Sequence, residues 1–153
     1  MVKFRGTYES TLDEKGRFVF PKKLRQNLAA TADRFIIIPG HEKCLYLHPL
    51  DNWEKKEQEY EALNEHNAEH RLLIRILQEG LEEVSLDSQY RIMIPSKHIE
   101  YAQLSLRSTI RVSGAFDKIE IWDPAVYEEY KSKPENARSF GDISAAILGG
   151  TTL

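Results

Sequence analysis

The chain has 153 residues, of which 41% are hydrophobic and 29% charged, which is typical of a globular protein and excludes a disordered or fibrous one. Its longest apolar run covers residues 35–38, far short of the ~20 residues that a membrane-spanning helix needs, and residues 1–20 contain no apolar segment of a signal peptide. Cys44 is the only cysteine, which excludes an intrachain disulfide framework and a Cys-rich zinc module. We therefore expect a cytoplasmic protein that has no membrane partner.

The net charge of −3 is distributed unevenly along the chain. Residues 1–25 hold seven basic and three acidic side chains, which gives +4, so the remaining residues carry −7. Proteins that bind nucleic acids usually show a basic surface, and here the basic charge lies at the N-terminal end. If the partner is an anion such as DNA, we expect it to contact this region.

The sequence repeats itself with an offset of 74 residues. Residues 11–21 align with residues 85–95, and the match continues without a gap, with residues 35–40 over residues 109–114. One copy alone is marginal as a fold, because so short a chain buries only roughly 60% of its unfolded surface. We therefore predict an α+β fold in which two tandem β-hairpin/short-helix repeats interleave their strands in one pseudo-twofold β-barrel.

Each repeat reads as strand, turn, strand, short helix, strand, turn, strand. In the first copy, residues 7–12 and 17–20 are β-rich and flank Asp13-Glu14-Lys15-Gly16, whose Asp and Gly suit a tight hairpin turn. Pro21 suits the first position of a short helix. Residues 35–38 and 45–47 are predicted to form a second hairpin.

The segment between the two copies is helical in pattern. Residues 51–79 form one long helix or an αα-hairpin, which Gly80 ends, and a shorter helix at residues 124–131 follows the second copy. The predicted organisation is a first repeat at residues 1–53, a helical connector at 54–80, a second repeat at 81–131 and a flexible tail at 132–153.

The pattern Asp-x-x-x-Arg occurs at Asp13 and Arg17 and again at Asp87 and Arg91. A structural interpretation is that the Asp accepts hydrogen bonds from turn amides and pairs with the Arg. The functional interpretation is that the Asp holds a projecting loop whose Arg contacts a phosphate or a guanine edge. The candidate DNA-binding residues are Asp13, Lys15, Gly16, Arg17, Lys22, Lys23, Arg25, Asp87 and Arg91.

His66-Asn67-Ala68-Glu69-His70 matches the H-x-x-E-H zinc-peptidase pattern, in which two His at helical spacing bind zinc and Glu activates water. The polar connector around it offers little material for a third ligand or a substrate cleft. A zinc-dependent hydrolase that uses His66, Glu69 and His70 is therefore kept as an alternative. Cys44 lies near two histidines without an oxyanion-stabilising motif, so we expect no catalysis, no cofactor and no small-molecule substrate.

An ordered set of segments consists of residues 4–8, 12–17, 21–25 and 44–50, Trp53, and residues 87–95 and 120–123. This set resembles the MraZ family of bacterial transcriptional regulators. The resemblance implies a swapped-hairpin β-barrel like that of the AbrB-type DNA-binding proteins, and assembly into a ring homo-oligomer. It also implies binding to double-stranded DNA at promoter direct repeats, upstream of the operon for cell division and cell-wall synthesis, and thus a cytoplasmic, nucleoid-associated protein.

The second loop departs from the first. Tyr90 stands where Gly16 does, and the second loop has no equivalent of Lys15. A positive φ suits Gly but strains Tyr by on the order of 1 kcal/mol, so we expect a different turn geometry and a smaller role in DNA binding. This loop and the acidic balance leave a ring-forming scaffold without DNA binding as a further alternative.

Overall fold

A computed structural model of the chain describes residues 2–29 and 32–149. The elements of these residues, in chain order, are β1 (Thr7–Leu12), β2 (Arg17–Val19), α1 (Lys22–Arg25), β3 (Arg34–Pro39), β4 (Leu45–Pro49), α2 (Leu50–Glu61), α3 (Ala68–Gly80), β5 (Glu82–Ser85), β6 (Arg91–Met93), α4 (Ser96–Tyr101), β7 (Ser108–Gly114), β8 (Ile119–Trp122), α5 (Pro124–Ser132) and α6 (Phe140–Leu148). The order of strands and helices in the first copy recurs in the second. Residues 150–153 of the predicted tail lie outside the described residues, as do residues 1, 30 and 31 of the predicted first repeat.

The fold is α+β, with an antiparallel six-stranded sheet in the order β1-β7-β8-β4-β3-β5 and a two-stranded ribbon of β2 and β6. The 74-residue offset relates β1 to β5, β7 to β3 and β8 to β4, so the sheet order is unchanged when the two copies are exchanged. The ladders β1–β7, β2–β6, β3–β5 and β4–β8 each join a strand of one copy to a strand of the other. The predicted interleaving of the two copies is therefore present.

Two details differ from the sequence prediction. β1 and β2 meet at their turn, where the Asp13 N–H donates to the Arg17 carbonyl at 2.8 Å, but each forms its ladder with a strand of the other copy. The reason is burial: Leu12 and Phe18 become fully buried only in the core that both copies build together. The six-stranded sheet ends at β1 and β5, and no ladder between the described strands closes it into a barrel.

The core lies on both faces of the central strands. Along β4, Leu45 and Leu47 point into the main apolar core, whereas Tyr46 packs with Trp53 and Trp122 on the opposite face, beneath the helices that follow the hairpins. Successive side chains of a strand point to opposite faces, so a strand covered on both sides is buried throughout. This is why every residue of β4 is buried.

The connector is an αα-hairpin of α2 and α3 rather than one long helix. Asn67 caps α3, because its side-chain oxygen accepts hydrogen bonds from the N–H groups of Glu69 and His70. Within the predicted tail the chain forms α6, which the sequence analysis does not predict, and Ser139 caps its N-terminus. None of the helices in the described ranges is long and apolar enough to cross a membrane.

Candidate nucleic-acid interface

The first loop, Asp13 to Arg17, is held together by its aspartate. Oδ1 of Asp13 accepts hydrogen bonds from the N–H groups of Lys15 and Arg17, both at 2.9 Å, and Oδ2 accepts one from Nε of Arg17 at 2.8 Å. Gly16 closes the turn with φ +82°, and its N–H donates to the Asp13 carbonyl at 3.1 Å. Among the described residues, nothing is hydrogen-bonded to Nη1 or Nη2 of Arg17. The loop therefore fixes the arginine and leaves the end of its guanidinium available to a ligand.

The second loop repeats this geometry. Asp87 accepts hydrogen bonds from the N–H groups of Gln89 at 2.8 Å and Arg91 at 2.9 Å, and from Nε of Arg91 at 2.9 Å. Tyr90 has φ +61°, which is the left-handed conformation that Gly16 adopts in the first loop. The prediction that the second loop takes a different geometry is therefore wrong.

The packing around Tyr90 explains how a bulky residue is accommodated there. The Arg25 guanidinium lies 3.8 Å from the centroid of the Tyr90 ring. Ile99 is the residue that the 74-residue offset relates to Arg25, and it covers Gly16. A Cβ atom on Gly16 would lie only 2.9 Å from the Cδ1 atom of Ile99. A cation–π contact contributes about 0.5–1 kcal/mol, which is comparable to the strain of a left-handed residue. Each loop is thus covered by a helix residue of the other copy.

The β2–β6 ribbon places the two arginines on one face, at diagonal positions of the ladder. Phe18 lies opposite Ile92 in the ladder, and both side chains are buried in the main core. Because side chains alternate along a strand, the neighbours of this pair share the opposite face. That outer face consists of Arg17 opposite Met93 and Val19 opposite Arg91.

Electrostatics keeps both aspartates charged. The hydrogen bond from the Arg17 N–H is the main reason why the pKa of Asp13 is lowered from 3.8 to about 2, and the Arg17 side chain acts in the same direction. The Arg91 N–H lowers the pKa of Asp87 in the same way. Both carboxylates are therefore ionised at neutral pH, and each holds its arginine in place.

The basic side chains around the two loops differ. Lys15, Lys22 and Lys23 are exposed, and within the described residues none of them forms an ion pair. In the second copy the equivalent of Lys23 is Lys97, which pairs with Glu82 at 2.8 Å. Among the described residues, more unpaired lysine side chains therefore lie in and around the first loop than the second.

The sequence analysis did not include Val19 and Met93 among the candidates, although each lies directly opposite one of the predicted arginines. Their side chains are 51% and 52% exposed, respectively. A strand of three residues is too short for its hydrophobic pattern to show which face is buried. If Phe18 and Ile92 had been identified as core residues, the alternation of side chains along a strand would have placed Val19 and Met93 on the exposed face.

The zinc-peptidase alternative has no support in the structure. α3 begins at Ala68, so His66 precedes the helix and does not share a helical face with His70. Nδ1 of His70 already accepts a hydrogen bond from the Asn64 N–H at 3.0 Å. In the described part of the chain, no group of three or more His, Cys, Asp or Glu side chains could hold a metal ion.

Cys44 and the nearby His48 do not form a catalytic pair. Burial raises the pKa of the Cys44 thiol to about 12, so the nucleophilic thiolate is not populated at neutral pH. Burial also lowers the pKa of His48 to about 4, and its ring packs against Trp53 with the centroids 5.2 Å apart. Both side chains belong to the core.

A β-ribbon that carries two braced arginines beside exposed lysines is the kind of surface that nucleic-acid-binding proteins use. The comparisons with known proteins point to one such class. A family model described as "MraZ protein, putative antitoxin-like" matches residues 3–76 and again residues 78–148. Two relatives, each named transcriptional regulator MraZ and found in Desulfitobacterium hafniense strains Y51 and DSM 10664 / DCB-2, are each 35% identical over 146 residues, which is 95% of this chain and 99% of the relative. The chain belongs to the MraZ family, which consists of transcriptional regulators and not of enzymes.

Proposed function

We propose that the protein is a sequence-specific DNA-binding transcriptional regulator whose DNA-contacting surface is the outer face of the β2–β6 ribbon with its two loops. The observation that carries this proposal is the pair Arg17 and Arg91, each oriented by an aspartate and both on one face of the ribbon. The major groove of B-DNA, about 12 Å wide, admits a two-stranded ribbon, and arginine bound to O6 and N7 of guanine is its commonest specific contact.

The residues have different roles in this proposal. Arg17 reads a base edge, and Lys15, Lys22 and Lys23 attract phosphates and set the position of the ribbon on the duplex. Gly16 allows the tight turn, and Arg25 reaches the DNA backbone from its place on the Tyr90 ring. Asp13 and Asp87 orient the arginines, and Arg91 contributes less than Arg17 because its loop has fewer basic neighbours.

We infer further that several copies act together, as a ring homo-oligomer bound to direct repeats upstream of the division and cell-wall operon. One chain of net charge −3 has only a small basic surface, so tight binding requires several of these surfaces at once. Exposed apolar side chains support contacts between copies. They are Leu72, Leu73 and Ile76 on α3 and Phe140, Ile147 and Leu148 on α6. Such an assembly would be cytoplasmic and nucleoid-associated. Within one chain, the pairing of strands from the first repeat with strands from the second supports the swapped-hairpin architecture.

A mobility-shift titration with DNA from upstream of the protein's own gene tests the proposal. Arg17→Ala should leave the fold intact, because the two backbone hydrogen bonds to Asp13 remain, and should weaken binding by about 1–3 kcal/mol per lost base contact. Arg91→Ala should weaken it clearly less. The control is Arg138→Ala, which removes an exposed arginine outside both repeats.

Two further measurements complete the test. The logarithm of affinity should fall with the logarithm of salt concentration by roughly 0.9 per phosphate neutralised, and duplexes with several repeats should bind more tightly than duplexes with one. Unchanged affinity of folded Arg17→Ala would contradict the assignment of the ribbon. Absence of any specific complex would favour a ring-forming scaffold without DNA binding.

A further inference from the structure

The outer face of the ribbon carries two apolar side chains where water would favour polar ones. Val19 is 51% exposed and Met93 52%, although Phe18 and Ile92 on the same strands are fully buried. Single exposed apolar residues are common on protein surfaces. Two of them on one small ribbon face, each directly opposite an aspartate-braced arginine, form a patterned surface.

The position of Val19 is fixed by the strand and its neighbours. The Ser10 hydroxyl donates a hydrogen bond to the Val19 carbonyl at 3.0 Å, which ties β2 to β1. With the adjacent Phe18 held in the core, the Val19 side chain must point away from it. Met93 is placed in the same way by its neighbour Ile92.

The spacing of this face matches the spacing of base pairs. Residues two apart on a strand are separated by about 6.6 Å, and successive base pairs by about 3.4 Å along the helix axis. An apolar side chain on the ribbon thus lies about two base-pair steps from the arginine on its own strand. In the major groove, the apolar group available to such a side chain is the C5-methyl of thymine.

We propose that Val19 and Met93 are specificity-determining residues that contact thymine methyl groups about two base-pair steps from the bases contacted by Arg17 and Arg91. The inference rests on the proposed DNA-binding function and adds to it the bases that flank the arginine contacts. A cytosine at these positions lacks the C5-methyl group, so the apolar side chain would lose its contact and the ribbon discriminates against that base.

The test compares thymine with uracil, which differs from thymine only in lacking the methyl group. The full-length protein is titrated with the duplex that it binds upstream of its own gene, and with the same duplex carrying uracil at each thymine of the bound repeats. The wild-type protein should bind the uracil duplex about fourfold more weakly for each methyl contact, which corresponds to the burial of one methyl group. The double variant Val19→Ser/Met93→Gln, which removes the methyl groups of both side chains and adds polarity, should bind both duplexes with nearly equal affinity.

Ile147→Thr, which makes the same kind of change at an exposed residue of α6, is the matched control and should keep the wild-type ratio. Equal wild-type affinity for the two duplexes would overturn the inference while leaving the DNA-binding function in place. A wild-type ratio in the double variant would also overturn it, because the preference would then come from the duplex itself. A changed oligomer mass of the double variant would assign the two residues to assembly instead, and absence of binding to both duplexes would overturn the proposed function.

Discussion

Mild acid should destabilise the protein through His48, a residue outside the proposed DNA-contacting surface. His48 lies on β4, is 1% exposed, and has no hydrogen-bond partner for either ring nitrogen within the described residues. This burial lowers its pKa from 6.5 to about 4. Between these two values the unfolded chain takes up a proton on this histidine and the folded chain does not. The unfolded state is therefore favoured as the pH falls.

The magnitude follows from the two pKa values. One pKa unit corresponds to 1.36 kcal/mol, so lowering the pH from 6.5 to about 4 should reduce the free energy of unfolding by about 3 kcal/mol through His48. Below the lower value the folded chain is protonated too, and the contribution of His48 stops changing. The lowered pKa of Asp13 acts in a separate window, because its stabilisation is lost only as the pH falls from 3.8 to about 2.

Urea denaturation followed by circular dichroism, at constant ionic strength and at several pH values between 7 and 4, measures this effect. His48→Leu removes the titrating group and should flatten most of the acid slope. A smaller slope should remain, because burial also lowers the pKa of His98. The control His66→Leu changes a largely exposed histidine and should keep the wild-type slope. An unchanged slope in His48→Leu would refute the reasoning.

Three further substitutions or reactions test the packing of the loops and the core. Gly16→Ala should lower the free energy of unfolding by about 1–2 kcal/mol in urea titrations, because φ is +82° and Ile99 leaves little room for a Cβ; unchanged stability would contradict this. Tyr90→Gly should change stability by less than about 1 kcal/mol, because relief of left-handed strain offsets the lost contact with Arg25; a much larger loss would show that the ring has another structural role. Native Cys44 should resist iodoacetamide at mildly alkaline pH and react once the chain is unfolded, and rapid native labelling monitored by mass spectrometry would disprove its burial.

Much of the local structure could be predicted because it depends on residues close together in the chain. Asp13 lies four positions from Arg17, and all its hydrogen bonds in the turn are made within that loop. The same reasoning holds for Asp87 and Arg91, so the two loops and the repeat that relates them are visible in the amino-acid pattern. Helix α5 could be predicted for the same reason, since the side chain of Asp123 caps it directly before Pro124.

Tertiary structure decided everything that depends on contact between the two copies. The two sequence copies align without a gap, yet Pro39 pairs with Leu45 whereas Gly114 pairs with Ile119. The loop between β7 and β8 is therefore one residue shorter than the loop between β3 and β4. Contact between the copies also decided the geometry of the second loop, where Arg25 of the first copy supports Tyr90 in a conformation that local preference opposes. Burial of a shared core determines the strand partners, their register and the exposed face of the β2–β6 ribbon. Because that core joins residues far apart in the chain, no short segment of sequence specifies these features.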